Sequence, residues 1–397
     1  VRQALIIDGK PAPYLAGEPQ WTGDSKHLFT KRTVPGTGST EILADGQAFA
    51  RVQGSIQLYM APTGPGVLGV AWASPPNGVR HAFLTVGNRK VPGSECSDGG
   101  GITHVYMSSD AKNFAARCRT WIMVNGKKGQ EYAEGVSKVA FTADGKAVYI
   151  GKTGGKSFLI VGDEESDGYG TIAGETEFTR DQRNTQNFEP APAVIKGTSI
   201  GYITRGAQGG NTTVVVVNGK KYTASMAQNL TFSPDGERFA FLSAFPNPHA
   251  IVDGTAHTAL AVDPGIGNIG FQGTFQWSAD SKHIAWATNA PTYGVAIDGK
   301  YIAAPGMVRF VKFSADGKHL VWIARDSRAP RHLVFVDGEQ VADLPQNLQL
   351  ENEADIYWSF PEDGTIVFVA QDGDAMKRFK ITPGSDTSVE TALAKAK

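Results

Sequence analysis

TFSPDGERFAFLS, residues Thr231 to Ser243, decides the fold, because the same phrase is written again and again on either side of it. It reads as a strand ending at Ser233, a tight Pro234-Asp235-Gly236 turn, and a second strand carrying Phe239 and Phe241 at alternate positions. A few residues later Ala250-Ile251-Val252-Asp253-Gly254 supplies its companion, a β-rich run stopped by an Asp-Gly turn.

Both signals recur along the 397 residues. The first returns as WTGDSKHLF (Trp21 to Phe29), MSSDAKNFA (Met107 to Ala115), FTADGKAVYI (Phe141 to Ile150), WSADSKHIAW (Trp277 to Trp286), FSADGKHLVW (Phe313 to Trp322) and FPEDGTIVF (Phe360 to Phe368). The second returns as LIIDGK (Leu5 to Lys10), ILADGQ (Ile42 to Gln47), IMVNGK (Ile122 to Lys127), VVVNGK (Val215 to Lys220), VAIDGK (Val295 to Lys300) and VFVDGE (Val334 to Glu339). Asp-Gly and Asn-Gly suit the positive φ angles of two-residue hairpin turns, which is the physical reason they keep returning. Because the two signals alternate, each unit is a four-stranded antiparallel meander of roughly 35 to 50 residues, a length that stacks into β-propellers. No stretch sustains a period near 3.6, which argues against a βαβ reading.

Two weaker units, about Ser55 to Pro92 and Phe188 to Tyr222, bring the count to nine. The expected fold class is therefore all-β, a β-propeller of four-stranded antiparallel blades. Eight blades are expected from the nine units, since small propellers usually have about four to eight. The hairpin Leu5 to Tyr14 lacks a first hairpin of its own, and the strand near Lys377 to Thr382 lacks a companion. They are expected to close the ring by sharing one blade, which would hide sheet edges. A single domain over 1–383 is expected, with a loose polar tail or short helix over 384–397.

Charge is balanced, 38 Lys and Arg against 39 Asp and Glu, with no run of one sign. That removes the electrostatic reason to expect nucleic acid or anionic membrane as a partner. No stretch approaches the roughly 18 continuous apolar residues of a membrane helix. The chain begins at Val1, which fits removal of a signal peptide, and two cysteines with none left over fit an exported protein. A Cys96–Cys118 disulfide would close a loop of about 23 residues and restrict the unfolded chain by roughly 3 kcal/mol.

Catalytic signals are sparse. Gly197-Thr198-Ser199-Ile200-Gly201 has the spacing of a nucleophile elbow, but a β run follows the serine where a helix is needed. Asp163, Glu165 and Asp167, with Gly168, resemble the front half of a calcium loop, while the twelfth position is Gly174; calcium is the single cofactor the sequence suggests. His27, His283 and His319 hold the same place in three repeats, so the blade template explains them better than a shared site. Trp21, Trp277, Trp286, Trp322 and Trp358 flank the turns and are expected to pack between blades. The longest irregular piece, 163–192, offers Glu164, Glu165, Asp181, Arg183 and Asn187 as candidates for a partner-contacting loop. A second such loop is 93–101.

The phrases FSPDGERFAFLS, FSADGKHLVWIA and WSADSKHIAWAT resemble the WD40-like PD40 repeats of TolB-type propellers, which also occur in the propeller domains of prolyl oligopeptidase-like proteins. The resemblance covers nearly the whole chain and implies a periplasmic or extracellular protein-interaction module. The expected function is a non-catalytic, exported interaction or scaffold subunit of a larger assembly, with a protein partner. The alternatives are a propeller enzyme of lactonase, lyase or quinoprotein type with an axial active site, or a small-ligand or glycan receptor.

Overall fold

The computed structural model describes residues 16–60, 96, 102–110, 112–173, 193–205, 212–244, 246–262, 275–289 and 292–345. It also describes strands at 6–7, 10–11, 67–73, 81–86, 89–90, 348–349, 357–359, 366–372, 375–381 and 388–394. Every regular element among these residues is a β-strand.

Nine antiparallel sheets follow one another along the chain, at 16–53, 55–90, 104–128, 135–165, 171–225, 227–261, 276–303, 308–345 and 348–394. Each is a meander of four strands in sequence order. In the fourth, fifth and ninth the first strand is broken into two pieces, which makes them five-stranded. Each remains an open sheet with two edges. The nine sheets match the nine repeat units one for one.

The hairpin turns are built as their sequences predict. Asp45, Asn125, Asn218, Asp253, Asp298 and Asp337 all have φ between 48° and 51°, and the glycine after each has φ between 79° and 100°. Two successive positive φ values are what a type I′ hairpin demands, and Asx-Gly adopts them at low steric cost.

The chain forms two compact units, one of residues 1–173, 179–198 and 204–208, the other of 174–178, 199–203 and 209–397. Within the first, Phe29, Ile42 and Val52 pack on Ile56 and Leu58 of the next sheet. Ala115 and Ile122 of the third sheet pack on Val139, Tyr149 and Ile160 of the fourth. Within the second unit, the sixth sheet shares a core with the seventh, the seventh with the eighth, and the eighth with the ninth. Second strands are consequently covered on both faces: Phe239–Ser243 and Ile284–Thr288 are buried at every position. The alternation at Phe239 and Phe241 is thus only half of what is buried, since a sheet covered on both sides has no solvent face to mark.

Two expectations at the ends are corrected. The hairpin Ile6–Ile7 with Lys10–Pro11 pairs within itself as a separate two-stranded sheet. The ninth sheet is completed by Ser388–Ala394, paired to Ala375–Ile381, where a loose tail or helix was expected. An edge strand is held by backbone hydrogen bonds, which a polar sequence supplies as well as an apolar one. Trp286 and Trp322 are fully buried as expected, whereas Trp21 is 53% exposed.

Candidate functional site

The conspicuous polar residues of the repeats are used in a hydrogen-bonded clasp. In the eighth sheet the Ser314 hydroxyl donates to Asp316 Oδ1 (2.6 Å), the same Oδ1 accepts the Lys318 N–H (3.2 Å), and the His319 N–H donates to Ser314 Oγ (3.0 Å). Across the sheet end, Asp337 Oδ1 accepts the Leu320 N–H (2.8 Å) and Oδ2 meets His319 Nδ1 (2.6 Å). The two turn signals therefore lie at one end of the sheet and bond to each other. Sheets one and seven repeat the arrangement with Thr22, Asp24, His27 and Asp45, and with Ser278, Asp280, His283 and Asp298. The sixth replaces histidine by Arg238, whose Nε donates to Asp253 (2.9 Å). The third uses Asn113 and Asn125.

This clasp sets the electrostatics of the turn acids. The hydroxyl hydrogen bond holds Asp24, Asp110, Asp144, Asp235 and Asp280 below the ordinary carboxylate range, and Asp316 down to about 2. The hydrogen bond stabilises the ionised form. Each His–Asp pair looks like two thirds of a catalytic triad, yet it recurs in three sheets as a turn brace, so its chemistry is structural.

A recess of about 500 Å³ opens between the third and fourth sheets, at their clasp end. Its floor is Tyr132 and Tyr149, both buried; its rim carries Lys127, Lys128, Lys146, Asp163 and Glu165. Tyr132 lies flat on the strand Ala147–Thr153 because position 151 is glycine: a Cβ there would stand 2.5 Å from the ring. Its hydroxyl donates to Glu165 Oε2 (2.5 Å), and Lys127 Nζ bonds Asp163 Oδ1 (3.1 Å). Burial, reinforced by the Glu165 and Asp163 charges, raises Tyr149 to about 12; burial and the Glu165 hydrogen bond raise Tyr132 as well. Both phenols therefore stay protonated at neutral pH, and that of Tyr132 is spent on Glu165. The recess offers an aromatic floor with a rim of both signs, which is suited to recognition.

The run read as the start of a long loop is partly sheet. Val161-Gly162-Asp163-Glu164 is the second hairpin of the fourth unit in altered spelling, with Gly162 at φ 62° and Glu164–Glu165 paired to Ile160 and Val161. Glu164 and Glu165 are exposed on that edge strand. Asp181, Arg183 and Asn187 lie outside the described residues. Among the described residues no group of three or more His, Cys, Asp or Glu side chains is placed to hold a metal ion, Asp163, Glu165 and Asp167 included. Ser199 begins the strand Ser199–Arg205, and its Oγ accepts from Asn218 Nδ2 (3.2 Å). Cys96 and Cys118 are joined in a disulfide and buried beside Trp121 and Met123, tying residue 96 to the third sheet. Tyr149, on the strand Ala147–Thr153, reads from the sequence as core, and Tyr132, in the connection between the third and fourth sheets, carries no signal by itself, nor does the glycine facing its ring.

No protein-family model matches the chain, and no curated protein matches it. Among solved structures, it is similar to a eukaryotic initiation factor, at TM-score 0.37 and 10% identity over 96% of this chain and 90% of that one. It is also similar to TolB from Acinetobacter baumannii (TM-score 0.27, 13% identity, 84% and 80% covered) and to the dihydro-heme d1 dehydrogenase NirN (0.31, 14%, 95% and 76%). All three lie below a TM-score of 0.5, so the fold statement rests on the sheets themselves. Among the described residues no helix is long and apolar enough to cross a membrane.

Proposed function

We propose that the nine sheets are the blades of a β-propeller and that the chain is a non-catalytic interaction subunit of an oxidising compartment, periplasmic or extracellular. The observation that carries this reading is the clasp: the acids, hydroxyls and histidines with catalytic potential are engaged in bracing turns. The Cys96–Cys118 bond supports the compartment, since disulfides persist where thiols are not kept reduced. The docking site is the Tyr132–Tyr149 recess. Its tyrosine floor and its rim of Lys127, Lys128 and Glu165 match the composition of protein interfaces, where tyrosine is enriched at the centre and charge stays at the edge. The partner is a polypeptide segment that lays an apolar residue on the rings and meets both signs of charge.

Affinity capture from a native extract tests this with the full chain and with Lys127→Glu and Lys128→Glu together. Both lysines are exposed, so the double variant should melt at the native temperature. The reading expects a partner that the native chain retains and the variant loses. Equal recovery by both removes the recess from the proposal.

A further inference from the structure

The second unit contains a cavity of about 510 Å³ at the other end of its sheets, away from the clasps. It is lined by Tyr293 of the seventh sheet, by residues 306, 307 and 309, and by the loop 325–330 between the two central strands of the eighth. Three of the lining residues are arginines: Arg309, Arg325 and Arg328. Among the described residues none of the three guanidinium groups makes a salt bridge or a side-chain hydrogen bond.

The loop bearing Arg325 and Arg328 is held firmly. Position 306 is glycine, where a Cβ would stand 2.0 Å from the Arg325 carbonyl oxygen, so only glycine lets the two segments pass this closely. Ser327 Oγ donates to the Pro305 carbonyl (2.7 Å), and the Arg325 N–H donates to the Met307 carbonyl (2.8 Å). The single carboxylate in the lining, Asp326, is buried; Oδ1 accepts the Arg328 N–H (2.8 Å) and Oδ2 accepts Arg331 Nε (2.9 Å). Its charge is offset by Arg331, which also reaches Asp343 (2.5 Å), and more weakly by the charge of Arg328. Asp326 thus fixes the loop through the Arg328 N–H and Arg331, while among the described residues no hydrogen bond or salt bridge engages the guanidinium of Arg325 or Arg328.

We infer that this cavity is a binding site for a small organic molecule bearing a dianionic oxyanion group, a phosphomonoester or a dicarboxylate. Guanidinium forks pair with two oxygens at once, and three cationic side chains lining one cavity favour an anionic occupant. The volume exceeds that of a bare inorganic oxyanion and falls within the roughly 300–1,000 Å³ of small-molecule sites. Tyr293, 39% exposed, with Met307 and Pro330, provides apolar surface for the organic body. The inference is independent of the docking role proposed for the first unit.

Calorimetric titration of the full chain with phenyl phosphate, succinate and inorganic phosphate, at low and at raised salt, tests it. The expected result is saturable binding of phenyl phosphate or succinate, stronger than that of inorganic phosphate and weakened by salt. Whichever organic probe binds more tightly assigns the oxyanion class. Arg325→Gln with Arg328→Gln should weaken binding by about tenfold or more at an unchanged melting temperature, and Arg309→Gln alone should act in the same direction. Lys127→Glu serves as the surface-charge control and should leave the titration as it is. Absence of binding by every probe, or undiminished binding by the arginine variants, overturns the inference.

Discussion

Two recesses of nearly equal volume, about 500 Å³ in the first unit and about 510 Å³ in the second, are lined by opposite arrangements of charge. In the first, Glu165 is bonded to Tyr132 and Asp163 to Lys127. In the second, Arg309, Arg325 and Arg328 line the cavity while Asp326 is turned to bracing the loop. The contrast separates polar groups that stabilise the fold from polar groups kept for a ligand: satisfied networks resist removal, whereas unpaired like charges cost stability and are retained for binding. Substitution of the buried tyrosine floor of the first recess should therefore lower the melting temperature, and substitution of the arginines of the second should not.

The largest effect expected is one that ignores the contrast. Asp24, Asp110, Asp144, Asp235, Asp280 and Asp316 brace both units and have folded-state pKa values below the unfolded value of 3.8, Asp316 near 2. A depressed carboxylate contributes stability that is complete above the unfolded pKa and is lost as pH falls through the folded one. The melting temperature of both units should fall together between about pH 4 and pH 2. A profile flat to pH 2 would mean that the clasps carry no weight.

Next in size, Tyr132→Ala empties the floor of the first recess and should cost about 3–5 kcal/mol, read by denaturant unfolding. Replacing Cys96 and Cys118 by alanine should cost about 3 kcal/mol through the freed loop of the unfolded chain. Tyr132→Phe keeps the ring and deletes only the donor to Glu165, so about 1 kcal/mol is expected. If Tyr132→Phe costs as much as Tyr132→Ala, the ring packing over Gly151 is not what holds this recess.

Legibility in the sequence divides along the same lines. The sheets were readable because Asx-Gly turns and Ser-x-Asp-Gly/Ser-Lys turns are local chemistry: Asp337 must take φ 51°, and few residues tolerate that. That His27, His283 and His319 belong to the template was readable from their recurrence, although their bonding to Asp45, Asp298 and Asp337 was not, since it joins turns 15 to 18 residues apart. The recesses were not readable because each is assembled from neighbouring sheets. Even so, Arg325-Asp326-Ser327-Arg328-Ala329-Pro330-Arg331 places three arginines within one hairpin connection, a signal that balanced overall charge conceals. The start of the candidate loop 163–192 is hidden in the sequence because Gly162-Asp163 inverts the usual Asp-Gly order and makes a two-residue corner with a positive φ at the glycine alone.

The smallest effect is the one on which the comparison turns. Arg325→Gln with Arg328→Gln removes two positive charges that no carboxylate neutralises by direct contact, so the expected change in unfolding free energy lies within about 0.5 kcal/mol of zero. If the sign resolves, it should be stabilising, because positive charge around the cavity is reduced, and the gain should vanish as salt screens that charge. Thermal melts at low and raised ionic strength separate the cases. A salt-sensitive gain marks a site that sacrifices stability for a ligand, whereas a clear loss would show that the arginines brace the loop as Asp326 does, and the two recesses would then obey one rule.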